Sequence, residues 1–161
     1  MKTYRIFLLA LTTLILGACH DKVDKSDPQD TGSYLVFGSY YGMCQGDDCV
    51  TFYLVRDGKL YKDKKHQYPT NGTLHEGDYE AISDDKYQLV KDLSGKVPEK
   101  LLSESSTSIG CPDCADGGGI YIEINSTEGK RFWYLDNNDR ETPEYLHDFI
   151  AEVNAKIKAL R

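Results

Sequence analysis

Val50-Thr-Phe-Tyr-Leu-Val-Arg56, Asp57-Gly58 and Lys59-Leu-Tyr-Lys62 read as two strands folded back on each other. The Asp-Gly pair is the reason, because both central residues of a type I′ turn need positive φ and this dipeptide supplies it between apolar-alternating runs. Side chains alternate along a strand, so Val50, Phe52 and Leu54 share one face of the hairpin. Upstream, Tyr34-Leu-Val-Phe-Gly-Ser-Tyr-Tyr41 is β-branched and aromatic and reads as a first strand. Gly42, Gly46, Asp47 and Asp48 mark the loop between them.

Downstream the pattern changes. Residues 63–78 are polar, are broken by Pro69, Asn71-Gly72 and Glu76-Gly77, and are expected to run over the surface. Ser83 can cap a helix reaching about Leu93, with Asp84 and Asp85 in the first turn where the helix dipole favours them. Gly95 ends that helix, and Pro98 opens a short second one to Leu102. After the serine-rich turn from Ser103 to Ser108, Ile120-Tyr-Ile-Glu-Ile124 alternates strictly, which puts Ile120, Ile122 and Ile124 inward. Residues Asn125 to Gly129 turn the chain, and Arg131-Phe-Trp-Tyr-Leu135 returns as the hairpin partner. Thr142 caps and Pro143 opens a last helix, whose apolar positions Tyr145, Leu146, Phe149, Ile150, Val153, Ile157 and Leu160 form a wide stripe at period 3.6. Such a stripe must lie on a sheet. Residues 34–161 are therefore expected to form a single α+β domain. Its sheet is expected to be mostly antiparallel, with about five strands in two hairpin groups, a helical pair between the groups and the amphipathic C-terminal helix packed on it.

A chain of 161 residues suits one such domain and is long enough for a genuine core. Its net charge of −7 argues against nucleic acid and anionic lipid head groups as partners.

The N-terminus carries a different signal. Lys2 and Arg5 give a positive start, Ile6 to Leu16 an apolar segment too short to span a bilayer, and Leu16-Gly-Ala-Cys19 closes it with small residues before a cysteine. This run resembles the lipobox of bacterial lipoprotein signal peptides. The resemblance implies a signal peptide over 1–18, cleavage after Ala18, and a new N-terminal Cys19 bearing a diacylglycerol on sulfur and usually an acyl chain on nitrogen. Two or three chains would make attachment to a membrane effectively permanent. Residues 19–33 then form the lipidated N-terminus and a tether, since Val23 is their one branched aliphatic residue. His20, in the position after the lipid cysteine, implies the outer membrane under the commonest sorting rule, whereas Asp21, Asp24 and Asp27 fit a surface-export signal, so the face stays open.

Four cysteines remain, as Cys44-x4-Cys49 and Cys111-x2-Cys114. An even number in an exported chain reads first as two disulfides. Local pairs would each contribute about 2 kcal/mol and crossed pairs about 4 kcal/mol by loop-closure entropy, while sequence proximity favours local pairing; the pairing stays open, leaning local. The alternative is a thiol redox or zinc-binding protein using Cys44, Cys49, Cys111 and Cys114. Against redox chemistry, Cys111-Pro-Asp-Cys114 runs into glycines and a strand where a thioredoxin-type motif runs into a helix. The loop and hairpin from Gly42 resemble a family of uncharacterised bacterial exported domains with a Gly-x-Cys-x-Gly-x-Cys loop before a hairpin. This chain has one residue more between the cysteines and lacks the proline after the second, and that family carries no activity to transfer.

Asp113, Asp116 and the glycines after them match no calcium-loop spacing. His20, His66, His75 and His147 are scattered over tether, loops and the polar side of the last helix, and no Ser/His/Asp or paired-carboxylate arrangement emerges. The twelve tyrosines could line a protein- or glycan-binding face, or reflect sheet propensity. The expectation is a non-enzymatic binding or structural module without a cofactor or metal, attached to a membrane through Cys19.

Overall fold

In the computed structural model, which describes residues 32–70 and 72–161, the chain forms an α+β domain around one mixed sheet. The signal peptide, Cys19 and nearly all of the tether lie outside the described residues. Strand β1 (Tyr34–Tyr40) is central, and β2 (Val50–Arg56) and β3 (Lys59–Asp63) form the Asp57-Gly58 hairpin beside it. Arg56 pairs with Lys59 across that turn, and Asp57 and Gly58 have φ of 51° and 71°, as a type I′ turn requires. On the other side of β1 lies the second hairpin, β6 (Gly119–Ser126) with β7 (Gly129–Asp136).

The expected sheet of about five strands is too small. Two short strands, β4 (Tyr79–Ala81) and β5 (Ser108–Ile109), extend it to seven in the order β4-β3-β2-β1-β6-β7-β5. The sheet is mixed, because β5 runs parallel to β7. Neither edge strand has enough residues to carry a hydrophobic period of its own, so only their pairing creates them.

Between β4 and β5 the chain forms α1 (Asp84–Val90), a 3₁₀ turn over Leu93–Lys96, and α2 (Glu99–Leu102). The first helix is shorter than expected. Ser83 offers its backbone carbonyl to the amides of Lys86 and Tyr87 rather than a side-chain cap, and Gly95 lies inside the 3₁₀ turn. The last helix, α3 (His147–Leu160), is preceded by a 3₁₀ turn at Glu144–Leu146. Thr142 does not cap it; its hydroxyl donates to the carbonyl of Asn138.

The apolar stripe of α3 meets the sheet as expected. Leu146, Phe149, Ile150, Val153, Ile157 and Leu160 are buried with Val90, Leu93 and Leu101 against Leu35, Phe37, Tyr53, Ile120, Ile122, Trp133 and Leu135. The opposite face is also closed. Val50, Phe52 and Leu54 do share a face, but it is this second one, with Tyr34, Val36, Tyr40, Tyr79, Tyr121 and Tyr134. Its cover is the 64–78 segment, so the expectation that these residues merely cross the surface is corrected. Pro69 and His75 are buried, and the Tyr134 hydroxyl donates to the carbonyls of Thr70 and Thr73.

Candidate functional site

Both cysteine pairs close locally, Cys44 with Cys49 and Cys111 with Cys114. The β1–β2 connection leaves the sheet at Tyr41, and the Tyr41 amide donates to the Cys49 carbonyl at 2.9 Å, so the first pair closes the base of a loop. Cys49 is buried and Cys44 exposed. The second pair lies between β5 and β6, where Cys111 and Cys114 are both exposed. Among the described residues, no group of three or more His, Cys, Asp and Glu is placed to hold a metal ion.

One side chain ties these loops together. Asp113, inside the second disulfide, accepts from the Gly42 amide at 2.8 Å and from the Tyr68 hydroxyl at 2.8 Å on one carboxylate oxygen, and from the Gly118 amide at 3.0 Å on the other. Gly42 stands two residues before Cys44, and Tyr68 belongs to the segment that covers the second face. Three loops distant in sequence thus converge on one carboxylate. A side chain at Gly42 would collide with that carboxylate, its Cβ falling 2.5 Å from Oδ2. Burial first, and then the hydrogen bond to Asp113, push the Tyr68 hydroxyl up to about 12. The Tyr68 ring stands edge-on to Tyr40 at 5.2 Å between centroids.

Around the second disulfide the backbone is held by further acceptors. The Cys111 amide donates to Asp136 at 2.8 Å, and the Asp113 amide donates to the Gly118 carbonyl at 2.9 Å. A 3₁₀ turn of three residues, Cys114–Asp116, follows, and then Gly117, Gly118 and β6. The helix that a thioredoxin-type motif needs after it is therefore missing. Beside the disulfide opens a cleft of about 520 Å³ lined by Cys111, Cys114, Ala115, Gly117, Asp136, Asn137, Asn138 and Glu141. No Lys, Arg or His is among these lining residues.

Beneath the covering segment lies a polar network that sequence reasoning missed. Glu123, buried, accepts from the Tyr34 hydroxyl at 2.7 Å on one oxygen and from the Tyr121 hydroxyl at 2.6 Å on the other, which also faces the His75 amide at 3.3 Å. The His75 ring stands 2.8 Å from Asp63 through Nε2, and both residues are buried. Asp63 also accepts from the amides of Lys65 and Asp78. Burial alone would raise the Asp63 carboxyl, but the hydrogen bonds from His75, Asp78 and Lys65 outweigh it and hold the group below the ordinary carboxylate value. Burial, and then Glu123, push the Tyr121 hydroxyl far up.

The other two described histidines stay apart from this network, and His20 lies outside the described residues. His66 faces the Val50 carbonyl, and His147 the Thr142 carbonyl, each at 3.0 Å. Four tyrosines expected as a possible binding face, Tyr34, Tyr40, Tyr121 and Tyr134, are buried under the 64–78 segment. Tyr121 and Glu123 alternate with the inward isoleucines, the pattern of a strand with one solvated face, so nothing local marked them as buried. At the disulfide end the exposed large side chains are Met43, 81% exposed, and Tyr68, 43% exposed. A separate hollow of about 370 Å³ opens between Leu35, Val55 and Ile124 on the sheet and Tyr87, Val97 and Leu102 on the helical layer.

Compared with known proteins, the chain matches no family model, and no curated protein matches it. The site is therefore read from its own chemistry.

Proposed function

We propose that the chain is a lipid-anchored protein of the cell envelope, held in the outer membrane through Cys19, whose α+β domain is a non-enzymatic binding or structural module. The observation that carries this reading is the run from Lys2 to Cys19, with a basic start, an apolar core and Leu16-Gly-Ala before the cysteine. The two disulfides support it, because such bonds persist in oxidising compartments outside the cytosol. No helix among the described residues is long and apolar enough to cross a membrane, so the anchor would be lipid on Cys19. The partner would be a protein or a glycan, with exposed Met43 and Tyr68 at the disulfide end as the contact surface.

The test is Cys19→Ser in the full chain. Loss of the only proposed attachment point releases the domain into the soluble fraction. Membrane retention of that variant with its signal still cleaved overturns the reading.

A second reading, a thiol redox or zinc-binding protein using Cys44, Cys49, Cys111 and Cys114, draws on one observation: Cys111 and Cys114 are both exposed residues that line a cleft. Zinc would need the thiols reduced, which leaves redox chemistry as the form this observation favours.

A further inference from the structure

We infer that the Cys111–Cys114 disulfide is a redox-controlled clasp, reducible by a dithiol, that holds the Cys44–Cys49 loop and the 64–78 cover against the domain through Asp113. The inference does not rest on the lipid anchor and requires no catalytic turnover.

The two disulfides differ in what would make one of them labile. Cys111 and Cys114 are both exposed residues, whereas in the other pair Cys44 is exposed and Cys49 buried, so the second bond can be approached from either end and the first from one. The second bond closes the shorter ring, three residues apart against five, so loop-closure entropy stabilises it less. The turn after it is also bent against preference at one residue: Ala115, just past the ring, has φ of 51°, a left-handed conformation that costs alanine more than it costs the flanking Asp113 and Asp116 at 61° and 60°. Exposed and strained disulfides are the ones that exchange readily.

The exchange balances as follows. A thiolate of the donor dithiol attacks one sulfur, the Cys111–Cys114 bond breaks and a mixed disulfide forms. The donor's second thiol then displaces the protein, which leaves Cys111 and Cys114 as two thiols and the donor as a disulfide. Two electrons pass to the protein and two protons follow to its sulfurs.

The structural consequence runs through Asp113. Once the ring is open, Asp113, the positive-φ residue inside it, is free to leave the left-handed region, and its carboxylate is no longer held opposite the Gly42 amide, the Gly118 amide and the Tyr68 hydroxyl. Tyr68 is one of two points at which the covering segment meets this end of the domain, the other being His66 against the carbonyl of Val50, next to Cys49.

The full chain is titrated with mixtures of reduced and oxidised dithiothreitol. Differential alkylation with peptide mass mapping reads each cysteine pair, and amide hydrogen exchange reads Gly42 and Gly118. The expected result is that Cys111 and Cys114 become alkylated at a milder poise than Cys44 and Cys49, and that exchange at Gly42 and Gly118 accelerates by roughly tenfold or more at the same poise. A second variant, Asp113→Ala, keeps both cysteines and removes both acceptor oxygens. It should speed exchange at those two amides without reductant, and dithiol should then add little. Three results each overturn the inference: Cys44–Cys49 reduced first or together with the other pair, Cys111–Cys114 reduced with exchange at Gly42 and Gly118 unchanged, or reduction of either pair only with global unfolding.

Discussion

Beneath its helices the sheet presents Leu35, Phe37, Ile120, Ile122, Trp133 and Leu135, whereas beneath the 64–78 segment it presents Tyr34, Tyr40, Tyr121, Tyr134, Glu123 and Asp63. Both faces are closed to water, but by different physics. On the helical face the driving force is apolar area, which is non-directional and tolerates any close-packed solution. On the other face each buried polar group must find a partner of the right geometry, and a missing partner costs more than the bond itself contributes. One face therefore supplies bulk stability. The other fixes where a loop with little apolar surface of its own must lie, and so what the disulfide end of the domain looks like.

The largest effect separating the faces should come from a charge placed under the helices. Phe149 and Ile150 are buried against the sheet, so Phe149→Asp or Ile150→Asp puts an unpaired carboxylate there and removes apolar contact as well. Each should cost more than about 4 kcal/mol, enough to unfold the domain or nearly so. Urea denaturation checks it. An unchanged midpoint for both would mean that the stripe of α3 contributes nothing to the core.

The helical face was legible because it repeats. The α3 stripe recurs at period 3.6 and Ile120, Ile122 and Ile124 at period 2, so both register as patterns without knowledge of their partner. The Asp57-Gly58 turn was legible for a different reason, namely a backbone requirement that few dipeptides meet. The second face offered neither. Among the described residues of 64–78 only Pro69 and His75 are buried, and their hold on the sheet runs largely through backbone atoms, the carbonyls of Thr70 and Thr73 and the amides of Lys65, His75 and Asp78. Backbone groups are the same in every sequence, so composition reads such a segment as surface loop. The clasp at Asp113 was hidden likewise, because two of its three donors are the amides of Gly42 and Gly118. In the sequence this aspartate was weighed as a calcium ligand, and nothing local links it to Tyr68.

A smaller and pH-dependent effect should mark the polar face. The Asp63 carboxyl is held below its ordinary value, its hydrogen bonds from His75, Asp78 and Lys65 outweighing burial. A carboxyl depressed in the folded state stabilises the fold above its unfolded pKa, and that contribution is lost as pH falls through the folded value. The wild-type domain should therefore lose stability on acidification below the ordinary carboxylate range. Asp63→Asn should be less stable near neutrality by about 1–3 kcal/mol, because one acceptor oxygen becomes a donor facing donors, and should show a flatter acid limb. Denaturation midpoints measured from neutrality downwards for both proteins check this. Parallel pH profiles would mean that Asp63 carries no part of the acid sensitivity. No such pH term is expected from the helical face, where the buried polar side chains of β1 and β2, Ser39, Thr51 and Tyr53, include no carboxylate.

The smallest effect should isolate the cover from the core. Tyr134 belongs to β7, its ring lies among Tyr40, Tyr121 and Phe132, and its hydroxyl reaches up to the carbonyls of Thr70 and Thr73. Tyr134→Phe keeps the ring and removes only that donor. The Thr70 carbonyl still accepts from the amide and hydroxyl of Thr73, so one carbonyl, that of Thr73, loses its hydroxyl partner. The global cost should be about 1 kcal/mol. The local cost should be larger in proportion, since the cover has little apolar burial to hold it once that tie is gone, and segments of this kind open separately from the core. Amide exchange and proteolysis within 64–78 should accelerate, while amides of β1 and β6 keep the protection set by global unfolding. If protection falls equally in the strands and the cover, the two faces unfold as one unit, and the distinction between an apolar core and a separately held cover fails.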